Sequence, residues 1–216
     1  MKKGSHKRLF SIVLAGLLLF VLGACRLVSE NPEDKEKPEE GPVAEGCPGA
    51  VYPEWSTSPY VLPYPVGETY KIDLSNCSGS FHSEGQPDEF AIDFNMPIGS
   101  QITASRAGTV VYVEESGRDG GSPNNLVVVD HGDESYAQYM HLTQNGAQVT
   151  VGQQVSPGDN IGLSGATGLA GYPHLHFVVT HTPWRYPYAS MPVTFRNTLS
   201  NERSLASGTR YKALPY

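Results

Sequence analysis

Basic residues, cysteines and helical repeats are all scarce in this sequence. Its 216 residues carry 15 lysines and arginines against 22 acids, a net charge of −7. The imbalance sharpens in the middle, where residues 47–181 hold 14 acids and only 3 bases. A body of that charge has no basic stripe to neutralise phosphates, which excludes nucleic acid as a partner. No calcium-loop pattern organises the acids either, so they read as solvated surface rather than a cation trap. No stretch of helical length shows a 3.6-residue period, which excludes a helical domain.

The first residues give an address. Lys2, Lys3, Lys7 and Arg8 precede an apolar run from Leu9 to Ala24, too short and too one-sidedly flanked for a membrane span but suited to a signal segment. The run ends in Leu22-Gly23-Ala24-Cys25, which resembles the bacterial lipobox. That resemblance implies cleavage before Cys25, acylation of its thiol and an exported lipoprotein anchored to a membrane of the bacterial envelope. An uncleaved helical anchor is the alternative. One acyl chain binds only marginally, so stable anchoring requires more than one.

The other two cysteines, Cys47 and Cys77, form an even remainder. In an exported protein this favours a disulfide over two free thiols, and closing a loop of about thirty residues is worth roughly 3–4 kcal/mol. Between Cys25 and the folded part, Glu30 to Glu45 holds seven acids, two lysines and three prolines. It cannot bury enough apolar surface to offset its ordering entropy and reads as a tether. The expected divisions are a signal peptide at 1–24, a lipidated cysteine and tether at 25–46, a disulfide-stapled irregular wrap at 47–80, the main folded body at 81–196 and a polar tail at 197–216. The folded stretch of about 170 residues suits one domain with a real core.

Within it, short runs rich in β-formers alternate with glycine and proline. Candidate strands are 101–104, 108–114, 125–130, 135–142, 148–151, 175–179 and, in the tail, 191–196, with turn signals at 120–123, 132–133, 157–158 and 168. The expected fold is all-β, a two-sheet sandwich or barrel-like body with an irregular N-terminal extension.

Five of the seven histidines lie on separate strands and loops of this body: His82, His131, His141, His174 and His176. His6 falls in the signal segment, and His181 reads as surface. His174 and His176 share one face of a strand, about 7 Å apart, so both imidazoles look into one space. In the run 135–142, His141 sides with Ala137 and Tyr139, and looks outward if Tyr136, Gln138, Met140 and Leu142 are core. Asp93 sits among apolar neighbours, where an unpaired carboxylate is costly. Either a cation or Arg106, the only nearby base, must satisfy it. A hydrolytic zinc site needs about three nitrogen or oxygen ligands from different elements plus one open position.

Several stretches occur together in a telling order: His82 through Asp93, Val129-Asp130-His131-Gly132-Asp133, Tyr139-Met140-His141-Leu142, Gly158-Asp159-Asn160-Ile161-Gly162, Ser164-Gly165-Ala166-Thr167-Gly168 and His174-Leu175-His176-Phe177. This order resembles the lysostaphin-type (LytM-domain) zinc metallopeptidases over about residues 81–180. The resemblance implies one zinc ion held by His82, Asp93 and His176, with His141 and His174 assisting catalysis. It further implies a metalloendopeptidase acting on the peptide part of peptidoglycan. Spacing alone leaves open that His174 and His176 hold one metal together.

One departure stands out. The commoner family form spaces its first two ligands His-x-x-x-Asp, whereas eleven positions separate His82 from Asp93, so Asp88 and Glu89 compete for the third place. His131 is expected in a turn or behind the ligands. Two other readings belong to different classes. A non-catalytic envelope module that binds wall or activates amidases is opposed by the presence of all five positions. A lipoyl or biotinyl carrier, resembled by the turns at 151–161, needs an acceptor lysine, and residues 107–181 contain none. A monomer is expected, tethered to the membrane through lipid.

Overall fold

The computed structural model describes residues 41–216. The expectations for the signal segment, Cys25 and most of the tether lie outside the described residues. The chain there is all-β, and its only helical element is a single 3-10 turn at Trp55–Thr57.

Eleven strands follow in chain order: β1 (Thr69–Leu74), β2 (Ile92–Asn95), β3 (Gln101–Thr103), β4 (Gly108–Glu114), β5 (Leu126–Asp130), β6 (Ser135–Met140), β7 (Leu142–Ala147), β8 (Gln154–Val155), β9 (Asn160–Ser164), β10 (Leu175–His181) and β11 (Arg210–Lys212). They form an eight-stranded sheet in the order β11-β1-β2-β10-β6-β5-β4-β8 and a three-stranded sheet in the order β3-β9-β7. Every strand pair is antiparallel. The main apolar core unites residues of both sheets. From the large sheet, Ile92 and Phe94 of β2, Leu175, Phe177 and Val179 of β10, Ala137 and Tyr139 of β6, and Val127 and Val129 of β5 contribute, joined by Ile102, Leu142 and Ile161 of the small sheet. Each fully buried side chain of this size contributes about 1.5–3 kcal/mol.

The period of two then dictates what the opposite face carries. Asp93, Met140, His176 and Val178 alternate with those core residues and look away from the main core. Met140 and Val178 join Ala91 and Tyr188 in a second, smaller apolar cluster. The core side of β6 is therefore Ala137 and Tyr139, the reverse of the side that would have turned His141 outward by simple alternation.

The structure departs from several expected boundaries. The run 135–142 is not one strand: it breaks at His141, whose φ of +66° lies in the left-handed region. Residues 148–151 form no strand, and pairing resumes at β8 after a turn. Nor do residues 191–196. Their backbone groups bond irregular partners instead, Met191 N–H to Val179 O, Phe195 N–H to Asn201 Oδ1 and Arg196 N–H to Tyr60 O. Val193 and Phe195 are nonetheless fully buried.

The expected polar tail adds β11 to the edge of the large sheet. Tyr211 is buried there, and its carbonyl accepts a 2.8 Å bond from the Tyr64 hydroxyl. The expected wrap supplies β1 to the same sheet. Cys47 at its start and Cys77 near its end are disulfide-bonded. The last expected tether residues also touch the fold, with Gly41 N–H donating to Ser200 Oγ at 2.8 Å and Ala44 buried.

Candidate metal centre and active site

Four elements bring the histidines together. Asp93 on β2 and His176 on β10 are direct cross-strand partners, so register alone sets carboxylate beside imidazole. His176 Nδ1 lies 2.9 Å from Asp93 Oδ1. His82 arrives from the loop between β1 and β2, its backbone bridged to Gly79, and places Nε2 3.4 Å from the same carboxylate oxygen. His174, bridged to Gly165 just before β10, places Nε2 3.7 Å from it. All four residues are buried.

His141 joins them because of its backbone. Continued alternation would send it into the core with Ala137 and Tyr139. The left-handed turn instead releases it to the other side, where its ring centroid stands 4.7 Å from that of His174. Asn124 holds the turn by accepting the His141 N–H at 3.0 Å. A non-glycine residue in this region costs about 1–2 kcal/mol, strain of the kind met at functional sites.

Each ring is fixed by an oxygen acceptor at one nitrogen. His82 Nδ1 faces Ser75 O at 3.3 Å, His141 Nδ1 faces Thr167 O at 2.7 Å and His174 Nδ1 faces Tyr172 O at 2.8 Å. A carbonyl only accepts, so each Nδ1 carries a proton, and in the neutral ring that leaves the Nε2 lone pair for the shared space. Thr167 is itself buried and locked, donating its hydroxyl to Leu142 O at 2.8 Å and accepting from Asn125 N–H at 3.0 Å. Its loop lies so close to β7 that a Cβ on Gly165 would sit 2.3 Å from Thr143 N, which only glycine tolerates.

Electrostatics follow from this packing. Burial alone would raise the Asp93 pKa, yet its hydrogen bonds to His176 and His82 hold it well below the usual carboxylate range. Burial opposes charge on His176, but Asp88 and Asp93 outweigh it and raise its pKa to about 10. Burial, reinforced by repulsion from His176 and His174, pushes His141 down to about 3. Arg106, the competing partner for Asp93, bonds Asp133 at 2.6 Å instead.

Among the described residues, two groups of side chains have ligand atoms within 4.8 Å of one another: His82, Asp93 and His176, and His141, His174 and His176. The first is a carboxylate between two imidazoles, a donor set suited to zinc, and among the described residues no lysine or arginine pairs with it. Asp88 belongs to neither group, and Glu89 turns away to bond Gly85 N–H at 2.7 Å. His131 bonds Ala107 O at 2.8 Å and does not line the cleft, while His181 is exposed. The histidines open into a cleft of about 850 Å³, walled by Phe81, Tyr112, Leu126, Trp184 and Tyr186. That is room for a peptide rather than a single small group.

Residues 88–186 match Peptidase family M23. Those residues, just under half of the chain, form an M23 peptidase domain. The matched stretch contains Asp93, His141, His174 and His176, while His82 lies just before it. The chain is 39% identical over 134 residues to Peptidoglycan DD-endopeptidase ShyA of Vibrio cholerae, an alignment that covers 60% of this chain and 30% of that protein. It is 30% identical over 132 residues to Glycyl-glycine endopeptidase ALE-1 of Staphylococcus capitis, covering 60% of this chain and 35% of the relative. The chain thus spans about a third of the length of these relatives. Among solved structures, a zinc-containing peptidase from Vibrio cholerae aligns at 26% identity and a TM-score of 0.45, over 69% of this chain and 41% of the other.

Sequence reasoning missed Thr167, Tyr172, Tyr188 and Asn124 as parts of the site. Thr167 stood within a quoted motif, yet no local signal marks a carbonyl as a histidine clamp. Tyr172 is a chain neighbour, two residues before His174, whereas Asn124 and Tyr188 meet the site only through the fold.

Proposed function

We propose that this chain is a zinc-dependent endopeptidase that hydrolyses peptide bonds of peptidoglycan in the bacterial envelope. The observation that carries the reading is the convergence of five buried side chains, His82, Asp93, His141, His174 and His176, at the floor of one peptide-sized cleft. His82 Nε2, the Asp93 carboxylate and His176 Nδ1 would hold one zinc ion. When bound, zinc lowers the pKa of water toward about 7 and polarises a scissile carbonyl.

The chain's own groups supply the rest. In their neutral form His141 and His174 would each present an Nε2 lone pair to the cleft, since their Nδ1 protons are committed to backbone carbonyls. Burial keeps His141 neutral, so it stands ready as an acceptor rather than a competing cation. One imidazole can take the proton of the attacking water, and the pair can orient that water and return a proton to the leaving amine. The aromatic walls hold the substrate over these nitrogens and limit access of bulk water.

The named activity of the Vibrio cholerae relative, a peptidoglycan DD-endopeptidase, supports peptidoglycan as the substrate, and that of ALE-1, a glycyl-glycine endopeptidase, supports peptide-bond hydrolysis. The lipobox-like segment ending at Cys25 supports an envelope location, with the body tethered to the membrane as a monomer. The test is digestion of purified peptidoglycan by the zinc-loaded chain, with mass analysis of the released fragments. New amino termini within stem peptides or cross-links are expected, and they disappear in Asp93→Ala. Zinc bound at one per chain without any released fragment would instead make the chain a non-catalytic wall-binding module.

A further inference from the structure

Three of the four site histidines are clamped by backbone carbonyls, but His176 is not. Its Nε2 lies 3.3 Å from Asp88 Oδ1, on the opposite edge of the ring from the Nδ1 that faces Asp93. Asp88 is gripped in turn. The hydroxyl of buried Tyr188 donates to the same Oδ1 at 2.5 Å, and the Asp88 carbonyl accepts Ala91 N–H at 2.9 Å, tying the loop to β2. Tyr188 packs with Ala91, Met140 and Val178 in the smaller apolar cluster, so the phenol is held from below.

The geometry points to Asp88 and Tyr188 as positioning residues for the metal ligand His176: Asp88 accepts the Nε2 proton and so commits Nδ1 to the metal, and Tyr188 aims Asp88. This inference rests on the reading of His82, Asp93 and His176 as the zinc ligands. The two ring nitrogens diverge, so a carboxylate at Nε2 cannot share the ion held at Nδ1. A ligating nitrogen must present its lone pair, which leaves the proton on the other nitrogen and requires an acceptor there. A charged acceptor also raises the basicity of the ring, which a neutral carbonyl does less well. With Asp93 and Asp88 together, two carboxylates stand against the two charges of the ion. The ten residues between His82 and Asp93 thereby gain a purpose, because the additional chain is what carries Asp88 back to the site.

The test compares zinc dissociation constants of the full chain and its Asp88→Ala, Asp88→Asn, Tyr188→Phe and Asp93→Ala variants by competition with a chromophoric chelator. Asp88→Ala is expected to weaken binding about 10–100-fold, the usual effect of losing such an outer partner, with smaller losses for Asp88→Asn and Tyr188→Phe. Asp93→Ala should lose zinc almost entirely. In parallel, nitrogen-15 NMR of the zinc-loaded chain should show a protected His176 Nε2–H that shifts in Asp88→Asn, a change that mere loss of packing would not produce. Unchanged affinity in both Asp88 variants, beside a wild type that binds and an Asp93→Ala that does not, overturns the inference and leaves the ligand reading standing. Zinc loss in Asp88→Ala as complete as in Asp93→Ala overturns it too, by making Asp88 a ligand. A wild type that binds no zinc removes both.

Discussion

Cutting the Cys47–Cys77 bond should disturb the metal centre as well as the fold. The bond spans 30 residues, and the chain-entropy relation for a loop of that size gives about 3.6 kcal/mol at 25 °C. For a chain of this length that corresponds to a melting temperature lower by roughly 7–14 °C. The functional consequence comes from position. Cys77 and Ser80 both adopt left-handed φ, at 51° and 55°, immediately before His82. Each costs about 1–2 kcal/mol, and the cross-link helps to hold them there. The neighbouring Ser75 carbonyl is the acceptor that fixes His82 Nδ1. Freed of the bond, this segment can relax, and zinc must then order it on binding. If about 40% of the 3.6 kcal/mol falls on that step, the zinc dissociation constant rises about tenfold. The assay pairs urea unfolding of the zinc-free Cys47→Ala/Cys77→Ala chain with chelator competition. A loss of stability under about 1 kcal/mol with unchanged zinc affinity would refute the reasoning, and would mean that Cys77 N–H to Glu89 O and Asn76 Nδ2 to Phe90 O order the loop without the cross-link.

Two further outcomes are expected. His174→Ala should keep zinc within about twofold while peptide hydrolysis falls by on the order of 100-fold or more, because an acid–base group is lost and no ligand is; metal analysis and cleavage rates on the same preparation check it, and zinc loss matching that of His176→Ala would contradict the division of roles. Cys25→Ser should abolish acylation and impair signal cleavage while the released or retained body stays active; intact mass of the membrane-extracted wild type must show a chain beginning at an acylated Cys25, and an unmodified chain beginning at Met1 would exclude the lipobox reading.

Much of the centre was legible before the fold. Asp93 among apolar residues signalled a buried carboxylate in need of a cation, and the i, i+2 pair of histidines signalled one shared space. The family resemblance then assigned different roles to the two. The strand run 135–142 shows where such reading stops. The reading that turned His141 outward took the other face of this run as core; with Ala137 and Tyr139 in the core, period-two alternation would carry His141 inward, because alternation assumes that the backbone keeps its extended conformation. The structure instead turns His141 through the left-handed region, held by Asn124 from a separate loop. Nothing in eight consecutive residues encodes that contact.

By itself, the sequence determined the all-β class, left Cys47 and Cys77 as the pair available for a disulfide, and supplied the candidate metal-binding side chains without choosing among them, because each depends on residue type and on neighbours close along the chain. The tertiary structure decided which face of β6 is core, which nitrogen of each ring is free, and that Asp88 stands behind His176 rather than beside Asp93. It also drew β1 and β11, from segments that read as wrap and tail, onto the edge of the sheet. All of these are settled by hydrogen bonds between residues far apart in the chain, such as Thr167 O with His141 and Tyr188 with Asp88, and a sequence period carries no record of who meets whom across such distances.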